Sequence, residues 1–99
     1  MRRKRKKSYY LPRWQDVELW SINRPLALII SETVKAFRKQ GLHSYPTDIT
    51  FAEWKEVLRK IEDGFGAYAK DNIHTEEEDY VLMKEAMDLF AQYFEHLWD

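Results

Sequence analysis

The chain carries three segments in which apolar residues recur every three or four positions, separated by stretches without that rhythm. In the first, Leu26, Ile29, Ile30, Thr33, Val34 and Phe37 hold the i, i+3, i+4, i+7 spacing. Residues so spaced stack on one face of a cylinder with about 3.6 residues per turn. Pro25 fits a first helical turn, where its missing N–H is not needed, and Ser21 or Asn23 offers a cap. Lys35, Arg38 and Lys39 lie toward the other end, where the helix dipole favours cations, and Gly41 is a natural stop. The pattern predicts a first helix over about residues 24–40.

Residues 41–49, with His43, Tyr45, Pro46 and Asp48, read as a loop. Thr50-Phe51-Ala52-Glu53 then has the form of a capping box, in which each side chain accepts a hydrogen bond from the other residue's free amide. The stripe Phe51, Trp54, Val57, Leu58, Ile61, Phe65 and Tyr68 predicts a second helix over about residues 51–69. Gly64 and Gly66 fall inside it at a cost of about 1 kcal/mol each relative to alanine, so they mark a kink or a close helix crossing. Asp71-Asn72 breaks the pattern, and Thr75-Glu76-Glu77-Glu78 repeats the capping-box form. Tyr80, Met83, Met87, Phe90, Phe94 and Leu97 give a third helix over about residues 76–97. Leu82, Ala86, Leu89 and Tyr93 widen its apolar face, which places this helix centrally between its neighbours. Short connections favour antiparallel packing. The expected fold is all-α: a small antiparallel three-helix bundle, residues 15–99, behind an extended basic N-terminal arm, residues 1–14. Gln15 to Trp20 allows one further short helical turn.

Composition fits a small globular domain. Aromatic residues fill 15% of the positions, and each buries roughly 150–250 Å², enough for a short chain to build a core. The absence of cysteine removes disulfides and Cys-ligated zinc and suits a reducing compartment. No apolar run reaches the roughly 18 residues that span a bilayer, and Asp16 and Glu18 precede any secretory apolar core. A cytoplasmic protein without a membrane partner is expected. The net charge of −1 conceals a division along the chain. Residues 1–14 hold Arg2, Arg3, Lys4, Arg5, Lys6, Lys7 and Arg13 and no acid, whereas residues 61–99 hold eleven acids against Lys70 and Lys84.

The arm is the feature that a core does not explain. Consecutive cations repel one another and bury nothing, so they need water or a polyanion. Arg2, Arg3, Lys4, Arg5, Lys6, Lys7 and Arg13 are the candidate anion-binding residues, as forks and point charges on phosphate. Tyr9, Tyr10 and Trp14 are candidates for base stacking. Two other readings stay open. The arm docks on the acidic half of its own or a neighbouring chain, or it is a solvated tail whose aromatics close the end of the bundle.

Glu53-x-x-Glu56 and Glu85-x-x-Asp88, separated by residues 57–84, resemble the paired carboxylates with which all-α nucleoside-triphosphate pyrophosphatases hold Mg²⁺. On a helical wheel Glu56 points about 150° from the centre of its stripe and Glu53 about 90°. Glu85 and Asp88 lie nearly opposite theirs, so the four carboxylates do not converge within one bundle. His43, His74 and His96 share no ligand spacing, and no serine sits in a nucleophile elbow. The sequence assigns no catalytic residue, metal ligand or cofactor.

Glu18-Leu19-Trp20, then Pro25-Leu26-Ala27 opening a helix that closes on Ala36-Phe37-Arg38-Lys39, precede a proline loop; Thr50-Phe51-Ala52-Glu53-Trp54 and Ile61-Glu62-Asp63-Gly64-Phe65 follow. This order resembles small uncharacterised helical proteins of tailed bacteriophages and prophages. The likeness spans roughly residues 18–68 and consists of core-forming positions. It implies a phage accessory protein in the bacterial cytoplasm and carries no catalytic residue. Together with the arm it sets the expected function: non-enzymatic engagement of nucleic acid, a nucleotide signal of host defence, or an acidic protein face. An oligomeric structural or inhibitory protein, such as a homodimer, is the alternative, and the off-stripe Trp20, Leu28, Tyr45 and Trp98 point to its apolar surface. A Mg²⁺-dependent pyrophosphatase-like enzyme is a further alternative.

Overall fold

The three periodic segments fold as helices. A computed structural model describes residues 22–70 and 77–98. It contains α1 (Asn23–Lys39), α2 (Phe51–Lys70) and α3 (Glu77–Tyr93), and α3 tightens into a 3-10 turn over Phe94–His96. No strand occurs among the described residues. The residues assigned to the arm, the short turn at residues 15–20 and the capping position Thr75 lie outside the described residues.

Local chemistry sets the helix ends. At α2 the capping box forms as its spacing predicts: Thr50 N donates to Glu53 Oε1 at 2.8 Å, and Glu53 N donates to Thr50 Oγ1 at 3.1 Å. At the end of α1, Gln40 N donates to Phe37 O, and Gly41 continues at φ 90°, a left-handed conformation that a Cβ disfavours. The start of α1 differs from the expected cap. Ile22 occupies the cap position without a side-chain hydrogen bond. Asn23 is instead the first residue of the helix, and its side-chain nitrogen donates to the Tyr68 hydroxyl on α2.

The bundle is antiparallel. The start of α1 meets the end of α2 through Asn23 and Tyr68, and the end of α2 meets the start of α3 through the Tyr68 and Tyr80 rings. The order of packing corrects the expectation that the third helix is central. α1 and α3 each pack along α2, and no Cα of one comes within 8 Å of a Cα of the other. The largest fully buried side chains, Trp54, Leu58 and Ile61, all belong to α2. α2 is the middle helix because it is narrow on two sides. A Cβ on Gly64 would stand 2.5 Å from Ala86 Cβ on α3 and closer still to the Leu82 carbonyl oxygen. One on Gly66 would stand 2.9 Å from Ser31 Oγ on α1. The two glycines therefore mark close crossings in an unbroken helix and not a kink.

Close approach also rolls the outer helices. The buried residues of α1 are Ala27, Ser31 and Val34, and those of α3 are Ala86 and Tyr93. Both sets lie about a quarter turn from the centre of the predicted apolar stripe. α1 and α3 thus bury Ala27, Ser31 and Ala86, with Val34 and Tyr93 further along, and much of each bulky stripe is turned toward the other outer helix. Of the predicted α3 stripe, Tyr80, Met87 and Phe94 are exposed, and Leu82 is exposed on the opposite flank of Ala86. Trp54 packs edge-on against Tyr93 with ring centroids 5.5 Å apart, which anchors the end of α3 where the α-helix gives way to the 3-10 turn.

Gly64→Ala tests this geometry. Alanine gains about 1 kcal/mol of helix propensity, but overpacking against a backbone carbonyl costs about 1–3 kcal/mol. Urea denaturation is expected to show a net loss for Gly64→Ala and a smaller loss for Gly66→Ala, whose neighbour is a side chain. A stabilised Gly64→Ala protein contradicts the close crossing.

Candidate functional site

The facing stripes of α1 and α3 leave an apolar groove floored by α2. Its first part, about 360 Å³, starts beside Asn23 and is walled by Leu26, Ala27 and Ile30 against Met83 and Met87, with Phe65 beneath. Its second part, about 250 Å³, continues from Ile30 between Ile29, Thr33 and Phe37 on one side and Phe90, Phe94 and Leu97 on the other. The Phe90 ring stands edge-on to Phe65 at 5.7 Å and to Phe94 at 5.3 Å, so the α3 wall is an ordered aromatic row. Leu26 is 48% exposed, Met87 46% and Phe94 60%. In a domain this small such side chains normally supply the core. Grouped along one channel, they form the kind of apolar patch that marks a binding surface.

The mouth of the groove is polar and well tied. Arg24 donates to the Tyr68 carbonyl oxygen and sits over the Tyr68 ring, 4.4 Å from its centroid. This joins the start of α1 to the end of α2. Glu77, Glu78 and Asp79 occupy the first turn of α3, just before Tyr80, where the helix dipole favours acids.

On the far side of α1 lies a second hollow of about 370 Å³, bordered by Glu32, Lys35, Glu62, Asp63 and Lys70. Two of its polar residues, Ser31 and Glu62, serve packing. Ser31 Oγ donates to the Glu62 carbonyl oxygen at 2.8 Å, and Arg38 Nε donates to Glu62 Oε1 at 2.9 Å. The bond to Glu62 satisfies the hydroxyl of buried Ser31, which lets α1 approach α2 this closely.

The remaining candidates are dispersed. Arg2, Arg3, Lys4, Arg5, Lys6, Lys7, Tyr9, Tyr10, Arg13 and Trp14 lie outside the described residues. Among the four carboxylates, Glu53 serves the α2 cap, and Glu85 accepts from Lys60 Nζ at 3.2 Å. Glu56 and Asp88 are exposed on their own helices. Among the described residues no three of His, Asp and Glu come together as a metal-holding group. His43 and His96 are exposed. None of the described helices is long and apolar enough to cross a membrane.

Apolar periodicity alone misses the groove, because it locates the stripes but not which neighbour they face. The signal that finds it is the row of small residues beside each stripe: Ala27 and Ser31 on α1, Ala86 on α3, and Gly64 and Gly66 on α2.

Arg38 and Glu62 are largely buried, with side chains 20% and 13% exposed. A charged hydrogen bond so placed exceeds the weak surface pair. A double-mutant cycle with Arg38→Gln and Glu62→Gln is expected to yield a coupling of about 1 kcal/mol that weakens as salt rises. Zero coupling would mean that the pair contributes nothing to the α1–α2 contact.

No family model, curated protein sequence or solved structure matches this chain.

Proposed function

We propose that the protein is a non-enzymatic, phage-type accessory protein of the bacterial cytoplasm that binds a polyanion through its N-terminal arm. The supporting observation is the placement of cations. Seven lie within residues 1–14 without a single acid. The nine cations of the helices are instead interspersed with acids, and three of them, Arg24, Arg38 and Lys60, are held by Tyr68, Glu62 and Glu85 of the same chain. Contacts that already satisfy a cation reduce what it offers to a ligand, so the arm is the natural phosphate-seeking element. Arg2, Arg3, Lys4, Arg5, Lys6, Lys7 and Arg13 supply charge. Tyr9, Tyr10 and Trp14 supply planar faces for bases, at about 1–3 kcal/mol per stacked base. Nucleic acid fits this combination best, because it offers repeated phosphates and bases together. A nucleotide signal of host defence is the smaller ligand of the same chemistry.

Affinity for single-stranded and duplex DNA is expected to fall by about 0.7–0.9 log unit per neutralised phosphate for each tenfold rise in salt. Deleting residues 2–7 is expected to remove most of that slope. Retention of nucleic-acid and nucleotide binding by the deletion variant would end the proposal.

The groove favours a second reading, in which an apolar surface acts in self-association or inhibition of a partner. That reading expects a sedimentation mass that rises with protein concentration and is insensitive to salt. A concentration-independent monomer mass counts against self-association.

A further inference from the structure

We propose that the groove between α1 and α3 is the seat of this chain's own aromatic segment, Tyr9–Trp20, at the base of the basic arm. The first ground is what the described helices leave undone. α1 and α3 share no backbone contact, yet both turn their bulkiest apolar residues into one channel. Leu26 at its mouth and Met87 in its wall remain half exposed. A small domain gains by covering such a channel with whatever apolar chain is tethered nearest.

The second ground is length and position. The undescribed N-terminal segment joins the described fold at Ile22, directly before Asn23 at the groove mouth. From Asn23 to Phe37 the α1 wall runs about 21 Å at a helical rise of about 1.5 Å per residue. Residues 9–20 span roughly 18 Å as a helix and at most roughly 40 Å extended, so either conformation reaches along the groove.

Composition is the third ground. The segment holds Tyr9, Tyr10, Leu11, Trp14, Val17, Leu19 and Trp20, a density of large apolar side chains that matches the unfilled walls. Tethering supplies the rest: a segment attached at the mouth acts at high effective concentration, which a second copy must match by mass action.

The proposal leaves Arg2 to Lys7 free to bind a polyanion and gives Tyr9, Tyr10 and Trp14 to the groove in place of base stacking. A nitroxide on Gln15→Cys in the full chain, which has no other cysteine, provides the test. Methyl signals of Ile30, Met83 and Met87 are expected to lose more than half their intensity, and those of Leu28 and Val81 markedly less. In a mixture of nitroxide-bearing unenriched chains with isotope-enriched chains lacking the label, no loss is expected. Uniform or absent broadening overturns the proposal, and broadening in the mixture assigns the groove to a second copy. Replacing Trp14 and Trp20 by Ser is expected to raise binding of an apolar fluorescent dye several-fold, and unchanged dye binding overturns it. Deleting residues 2–7 is expected to leave the broadening pattern in place, so loss of polyanion binding is read separately.

Discussion

The close approach of α2 to both neighbours governs this structure. Gly64 lies under the Leu82 carbonyl and Ala86, and Gly66 lies under Ser31. A helix interior normally avoids glycine because of its conformational entropy, and here two of them let three backbones draw together. Dispersion falls steeply with distance, so backbones that meet over small side chains recover contact energy that larger residues would obstruct. The same choice has a geometric consequence. Once Ala27, Ser31 and Ala86 face α2, the adjacent leucine, isoleucine, methionine and phenylalanine side chains have to point elsewhere. The bundle is tight along two seams and open along the third.

Polar groups follow these seams. Ser31 is buried where it lets α1 come close, and its hydroxyl is satisfied by the Glu62 carbonyl. Glu62 also receives Arg38, so one residue of α2 fixes α1 through its backbone and its carboxylate. At the other end Tyr68 does comparable work with different chemistry. Its hydroxyl accepts from Asn23, its carbonyl from Arg24, and its ring meets both the Arg24 guanidinium and Tyr80. These contacts set the register of α1 on α2, which apolar packing alone specifies loosely.

Much of this is legible in the sequence, and what is not has a definite cause. The Thr50–Glu53 box and the Gly41 stop are local effects, carried by neighbouring atoms, and they form as their spacing predicts. The helices themselves are legible from period alone. Which helix is central is not, because Leu82, Leu89 and Tyr93 widen the α3 stripe without revealing that Ala86 and the Leu82 carbonyl close onto Gly64. The start of α1 is also not legible locally: Asn23 lies inside the helix and its amide nitrogen reaches Tyr68, far along the chain. The dispersal of Glu53, Glu56, Glu85 and Asp88 could be read from a helical wheel. The groove could not, since it arises from the roll of two helices about a third.

The packing order carries one more consequence. α1 packs on α2 and α2 on α3, while no Cα of α1 comes within 8 Å of one of α3, so among the described helices every backbone pairing joins neighbours in the chain. Such sequence-local topologies close short loops and belong to the fast end of folding. They also divide cooperativity between two hinges. Either outer helix can swing from α2 while the other seam stays shut, in the manner of a local opening below the free energy of global unfolding. The three described helices form a triptych hinged along α2.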